Sequence, residues 1–208
     1  MTTETPPTTT NPPSPAAAPD IFTNVHKGIR RALFHVCTLL GRADGDEART
    51  REAREELKQV LHFVQFHGDN EDLLILPLLS QRVPLVAAQM QTAHARLHPM
   101  LDALNAQADT ASTEALHQEL AAFISVYLAH MHQEEHELQP LIRAAISAEE
   151  LAQQGRGSVA RATPDEQRMM LGWMLPALPQ AVSRAFLQKL PPLLAADLAA
   201  LMDGSSAD

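Results

Sequence analysis

The chain has 208 residues, enough for one full hydrophobic core and a small appendage rather than two large domains. A formal net charge of -9, with one short basic cluster from Lys27 to Arg31, argues against a phosphate-binding surface and hence against a nucleic-acid partner. The single cysteine, Cys37, excludes an internal disulfide framework, and neither a signal-peptide pattern nor a membrane-length apolar run is present, so a cytoplasmic protein without membrane contact is expected.

Leu and Ala are abundant and long stretches carry no Pro, which predicts an all-α protein. Residues 1–19, rich in Thr, Pro and Ala, bury too little to order themselves and read as a disordered leader. Helical patterns follow over 21–41, 46–80, 84–107 and 112–147, separated by GRADGD, the segment at Pro84, and QADTAS. Connections this short force neighbours to run antiparallel, so residues 20–150 are predicted to form an up-and-down four-helix bundle. Beyond it, Ser147 to Glu150 and Thr163 to Glu166 each offer a capping box. Between them GRGS is expected to break the chain, making 151–163 a linker to a helical extension over 164–208.

Each bundle helix has an apolar stripe interrupted by polar residues. The first runs Phe22, His26, Ile29, Leu33, Val36, Leu40. The second runs Leu57, Val60, Val64, His67, Glu71, Leu74, Leu78, and the third Met90, His94, Leu97, Leu101, Leu104, with His98 about 40° round from His94. The fourth runs Leu120, Phe123, Tyr127, His130, Glu134, Leu138, Leu141. His67-x3-Glu71-x5-Pro77 and His130-x3-Glu134-x5-Pro140 match position for position, which implies a pseudo-symmetric site. His35, His62, His117, His132 and His136 fall off the stripes and read as surface residues, with His62 and His136 as candidates for a supporting role behind the ligands. Tyr127, one turn before His130, reads as core packing, with a hydrogen bond to a ligand as the alternative.

Burying an unpaired imidazole or carboxylate costs several kcal/mol, so six or seven such groups in one core need a partner. Divalent metals match them: imidazole suits Fe, Zn, Cu and Ni, and a carboxylate can bridge two ions. The set exceeds one tetrahedral zinc and suits two octahedral ions with open positions. A ferritin-like arrangement would need Glu-x-x-His on two helices, and it occurs once, at Glu114 and His117.

The combination resembles the hemerythrin-like (HHE cation-binding) family: a histidine on helix one, H-x3-E on helices two and four, and a histidine or H-x3-H on helix three. The corresponding residues are His26, His67, Glu71, His94, His98, His130 and Glu134. The resemblance covers residues 21–147 and implies a four-helix bundle holding two non-haem Fe ions (Fe2+/Fe3+), bridged by Glu71 and Glu134. The function expected on that basis is to bind or sense oxygen, nitric oxide or redox state, in a protein that is a monomer or homodimer. The alternatives are a di-iron enzyme reducing peroxide or oxygen, and an iron-storage or structural metal protein.

Overall fold

A computed structural model of the chain describes residues 20–43 and 45–204; the leader lies outside the described residues. The described residues are helical with no strand, and no helix among them is long and apolar enough to cross a membrane. Helix α1 spans Thr23–Arg42, and Asp20 accepts the backbone N–H groups of Phe22 and Thr23 at its start. In α2, Glu47–Asn70 continues through a π turn, Glu71–Ile75, into Leu76–Arg82; Asp46 caps it by accepting from the N–H groups of Ala48 and Arg49. Helix α3 is Pro84–Gln107, with proline at its first position, where no N–H is needed. Helix α4 begins at a Ser112 cap and runs Thr113–Gln133, then through a second π turn, Glu134–Leu138, into Gln139–Ala145. These four pack in a cycle: α1 against α2 and α4, and α3 against α2 and α4.

The two π turns share one cause. Pro77 and Pro140 have no N–H to offer the carbonyl four residues back, and their rings would clash with it in a regular helix. The preceding residue bonds one position further back, Leu76 N–H to the Glu71 carbonyl and Gln139 N–H to the Glu134 carbonyl. Each turn inserts one residue and so advances the buried stripe. The continuous spacing predicted Leu74 and Leu78, then Leu141, facing inward; instead Ile75 and Leu79 are buried, and Ile142 is fully buried while Leu141 is 51% exposed. Ile142→Ala is therefore expected to cost about 2 to 4 kcal/mol in urea unfolding, and Leu141→Ala less than about 0.5 kcal/mol. Equal costs would contradict the phase shift.

Both expected capping boxes form, at Ser147 with Glu150 and at Thr163 with Glu166. The GRGS segment does not break the chain: α5, Ala148–Arg161, runs through it. Leu151 is buried in the core and Gly157 packs on Leu74, so tertiary contact outweighs the low helix propensity of the two glycines. Helix α6 is Pro164–Met174; a short 3-10 turn, Leu175–Ala177, leads to α7, Gln180–Leu187, and α8, Pro192–Gly204. This extension docks on α1 and α2. A Cβ on Gly28 would lie 2.8 Å from the Cα of Met174, Arg31 lies over the Trp173 ring, and His62 meets Glu166 at 3.0 Å.

Candidate metal centre

A polar layer separates two apolar clusters. Ile29, Leu33, Phe63, Leu97 and Phe123 belong to one, and Phe22, Ile75, Leu79, Met90 and Leu138 to the other. Between them lie His26, His67, Glu71, His94, His130 and Glu134, all buried. Each histidine occupies a core position on its helix, and the H-x3-E spacing sets His67 and Glu71, and likewise His130 and Glu134, one turn apart on the same face.

Their inward atoms form two overlapping groups able to hold a cation: His26, His67 and Glu71 in one, and Glu71, His94, His130 and Glu134 in the other. His67 Nε2 is 3.1 Å from Glu71 Oε1, and His94 Nε2 is 3.5 Å from Glu71 Oε2. His26 Nε2 and His130 Nε2 lie 3.4 and 3.3 Å from Glu134 Oε2. His26 and His67 bring their Nε2 atoms within 3.1 Å of each other. Five of these buried atoms, both oxygens of Glu71, both of Glu134 and His94 Nε2, make no hydrogen bond. Buried carboxylate oxygens without donors are expensive, and these groups could hold a cation that offsets that cost.

Two more acids fix the imidazoles from behind. Glu135 accepts from His26 Nδ1 at 2.9 Å and is gripped by both terminal nitrogens of Arg30 at 2.7 and 3.0 Å. Asp72 Oδ1 accepts from His94 Nδ1 at 2.6 Å. A carboxylate on Nδ1 takes the ring proton there and leaves the Nε2 lone pair facing inward, the form in which histidine binds metal. Asp72 and Glu135 occupy equivalent places in the repeat, each directly after its glutamate, so the pattern is H-x3-E-[DE]-x4-P twice over. Sequence reasoning took the repeat only as far as its glutamates and passed over the acid beside each one.

The local electrostatics drive the two glutamates in opposite directions. Burial favours a neutral Glu71, but the neighbouring His67 charge and the rings of His67 and His94 outweigh it and hold its pKa well below the usual range. Glu134 goes the other way: burial, then the charges of Glu71 and Glu135, push it well up. Burial lowers His130 to about 3, whereas Glu71 and Asp72 overcome burial at His94 and raise it to about 8. Glu135 is depressed to about 2, because its bonds from His26 and Arg30 exceed the cost of burial.

His98 stands apart from the buried groups. The 40° offset from His94 carries it to the edge of α3, where it is 39% exposed, reaches Asp72 Oδ2 at 3.5 Å and covers Gly68. It belongs to a half-exposed group with Asp72 and His94 instead. Of the other histidines, His35, His62, His132 and His136 are exposed, and His117 is half-buried against Gly41. His62 meets Glu166 in the extension rather than any residue of the centre. Tyr127 is buried, its ring 5.2 Å from Phe123 and 5.7 Å from His130. With Leu97 and Phe123 it borders a cavity of about 20 Å³ reaching Glu71, His94 and His130.

The family model for the hemerythrin HHE cation-binding domain matches residues 17–142. The chain belongs to the hemerythrin HHE cation-binding family, and its His and Glu cluster lies within the matched segment. Comparison with curated proteins and with solved structures returns no match.

Proposed function

We propose that this protein holds two non-haem iron ions between antiparallel helices and uses them to bind or sense a small diatomic molecule, oxygen or nitric oxide. His26, His67 and Glu71 would serve one ion and His94, His130 and Glu134 the other, with both glutamates shared. His98 would lie outside this set. The observation that carries the reading is the convergence of five buried atoms that make no hydrogen bond, the four carboxylate oxygens of two equivalent H-x3-E pairs and His94 Nε2. A two-iron centre supplies redox-active positions for a diatomic ligand.

The chain's own residues do the rest. Asp72 and Glu135 hold the two imidazoles in register, and Leu97, Phe123 and Tyr127 give the small cavity an apolar side. The cavity they border, about 20 Å³, is close to what one water-sized molecule needs, so it matches a diatomic rather than an organic substrate.

The test is an absorption spectrum of protein loaded with ferrous iron in the absence of oxygen. Admitting air, or nitric oxide, is expected to produce a new near-ultraviolet or visible band that reverses when the gas is removed. A loaded centre whose spectrum ignores both gases would assign the metal a structural or storage role. Continuous consumption of added peroxide would make the protein an enzyme.

A further inference from the structure

A second, much larger cavity, about 380 Å³, lies between the bundle and the extension. Its walls come from α1, α2, α5, α6 and α7, and the bulk of them is apolar: Phe63, Phe66, Leu74, Val159, Met170 and Phe186. At its inner end it reaches His67 and Glu71. We propose that this cavity is a binding site for a neutral, apolar organic molecule on the order of a dozen non-hydrogen atoms, seated against the His67 and Glu71 side of the polar layer.

The chemistry of the walls selects that class. Apart from His67 and Glu71 at the inner end, the polar side chains lining the space are few: Asn24, Gln154 and Ser158 are neutral, and the others are already engaged by the protein. Asn70 donates to the Phe66 carbonyl and accepts from Arg161, and Gln167 donates to the carbonyls of Val159 and Ala162. Asp20 at the rim is held by Thr23 and Arg143. Among the described residues, no Lys or Arg side chain lines the space to receive an anion. The volume is too great for a diatomic molecule and falls within the range of small-molecule sites. The sequence outside the described helices does not suit it either: residues 1–19 carry no large apolar side chain beyond Met1, and 205–208 read SSAD. The extension is held in place by close packing, Gly28 against the backbone of Met174, so the far wall is fixed to the bundle.

The experiment is a titration of the full-length protein with N-phenyl-1-naphthylamine, a neutral apolar fluorophore of suitable size, on metal-loaded and on chelated samples. The expected result is saturable binding of one probe per chain, with its emission enhanced. The chain's one tryptophan, Trp173, sits on α6 beside the cavity residues Met170 and Met174, so its emission should fall in step by energy transfer. Ala152→Phe and Ser158→Leu, which fill the space, are each expected to weaken binding at least tenfold with helicity retained; Leu85→Phe, exposed and off the cavity, should leave it unchanged. If one filling variant does not fold, the other variant and the Trp173 signal decide. Probe binding that is absent, non-saturable, or unaffected by the filling variants and silent at Trp173 would overturn the proposal. So would a concentration-dependent dimer that excludes the probe and is abolished by the filling variants, since the face would then belong to a second copy. Because the chelated sample is titrated as well, failure of the iron reading would not be mistaken for failure of this one.

Discussion

Glu134→Ala is expected to remove most of the metal bound by this protein without destabilising the metal-free chain. Glu134 is completely buried, its Oε2 lies within 3.4 Å of His26 Nε2 and 3.3 Å of His130 Nε2, and neither oxygen accepts a hydrogen bond. In the proposed centre it serves both ions, so alanine weakens both positions at once. In the metal-free chain the same carboxyl is a liability, pushed toward its neutral form by burial and by Glu71, and its loss relieves an unpaired buried group. Metal at a hundred to a thousand times its Kd should raise the unfolding free energy of the parent by about 3 to 4 kcal/mol, and that increment should vanish in the variant. The metal-free proteins should agree within about 1 kcal/mol or favour the variant. Denaturant melts with and without metal separate the two effects. A variant that keeps the full metal-dependent increment would show that Glu134 is an ordinary buried acid.

Asp72→Ala and Glu135→Ala should each weaken metal binding by about 10- to 100-fold, although neither side chain belongs to the six inward residues. Each accepts a hydrogen bond from Nδ1 of one inward histidine, His94 or His26, and so fixes both the ring angle and the tautomer. Glu135 has a further anchor in Arg30, which predicts that Arg30→Ala reproduces part of the Glu135→Ala loss. The two acids, themselves equivalent in the repeat, sit behind different histidines on different helices, so the double variant is expected to lose roughly the product of the single effects. Competition against a chelator of known affinity measures this. Parent-like affinity in both single variants would mean that packing alone orients the two rings.

Much of the site was legible because a buried polar residue breaks a stripe in a way that a surface residue does not. His26, His67, Glu71, His94, His130 and Glu134 each stand where a leucine would be expected, and the structure brings all six into one layer. Helical spacing lost its phase beyond each glutamate, although Leu138, one turn past Glu134, is buried as expected. The arithmetic assumes an unbroken 3.6-residue period, and the π turns at Glu71 and Glu134 advance the phase by one residue, which is why Leu78 and Leu141 were placed inward when Leu79 and Ile142 are. The prolines at matching distance were the available signal of that interruption. His98 shows a second limit: a 40° offset is small on a helical wheel but enough, at the rim of the layer, to exchange a buried partner for Asp72. The GRGS segment is the converse case, in which local propensity pointed to a break and docking of Leu151 and Gly157 kept the helix intact.

The most direct measurement is metal content by elemental analysis of protein purified without oxygen, on the parent and on a His67→Ala, His130→Ala pair. The parent is expected to carry two iron ions per chain, each single variant about one, and the double variant little or none. One zinc per chain, or no metal in the parent, would contradict a two-ion centre and leave the polar layer as a network of buried hydrogen-bonding groups.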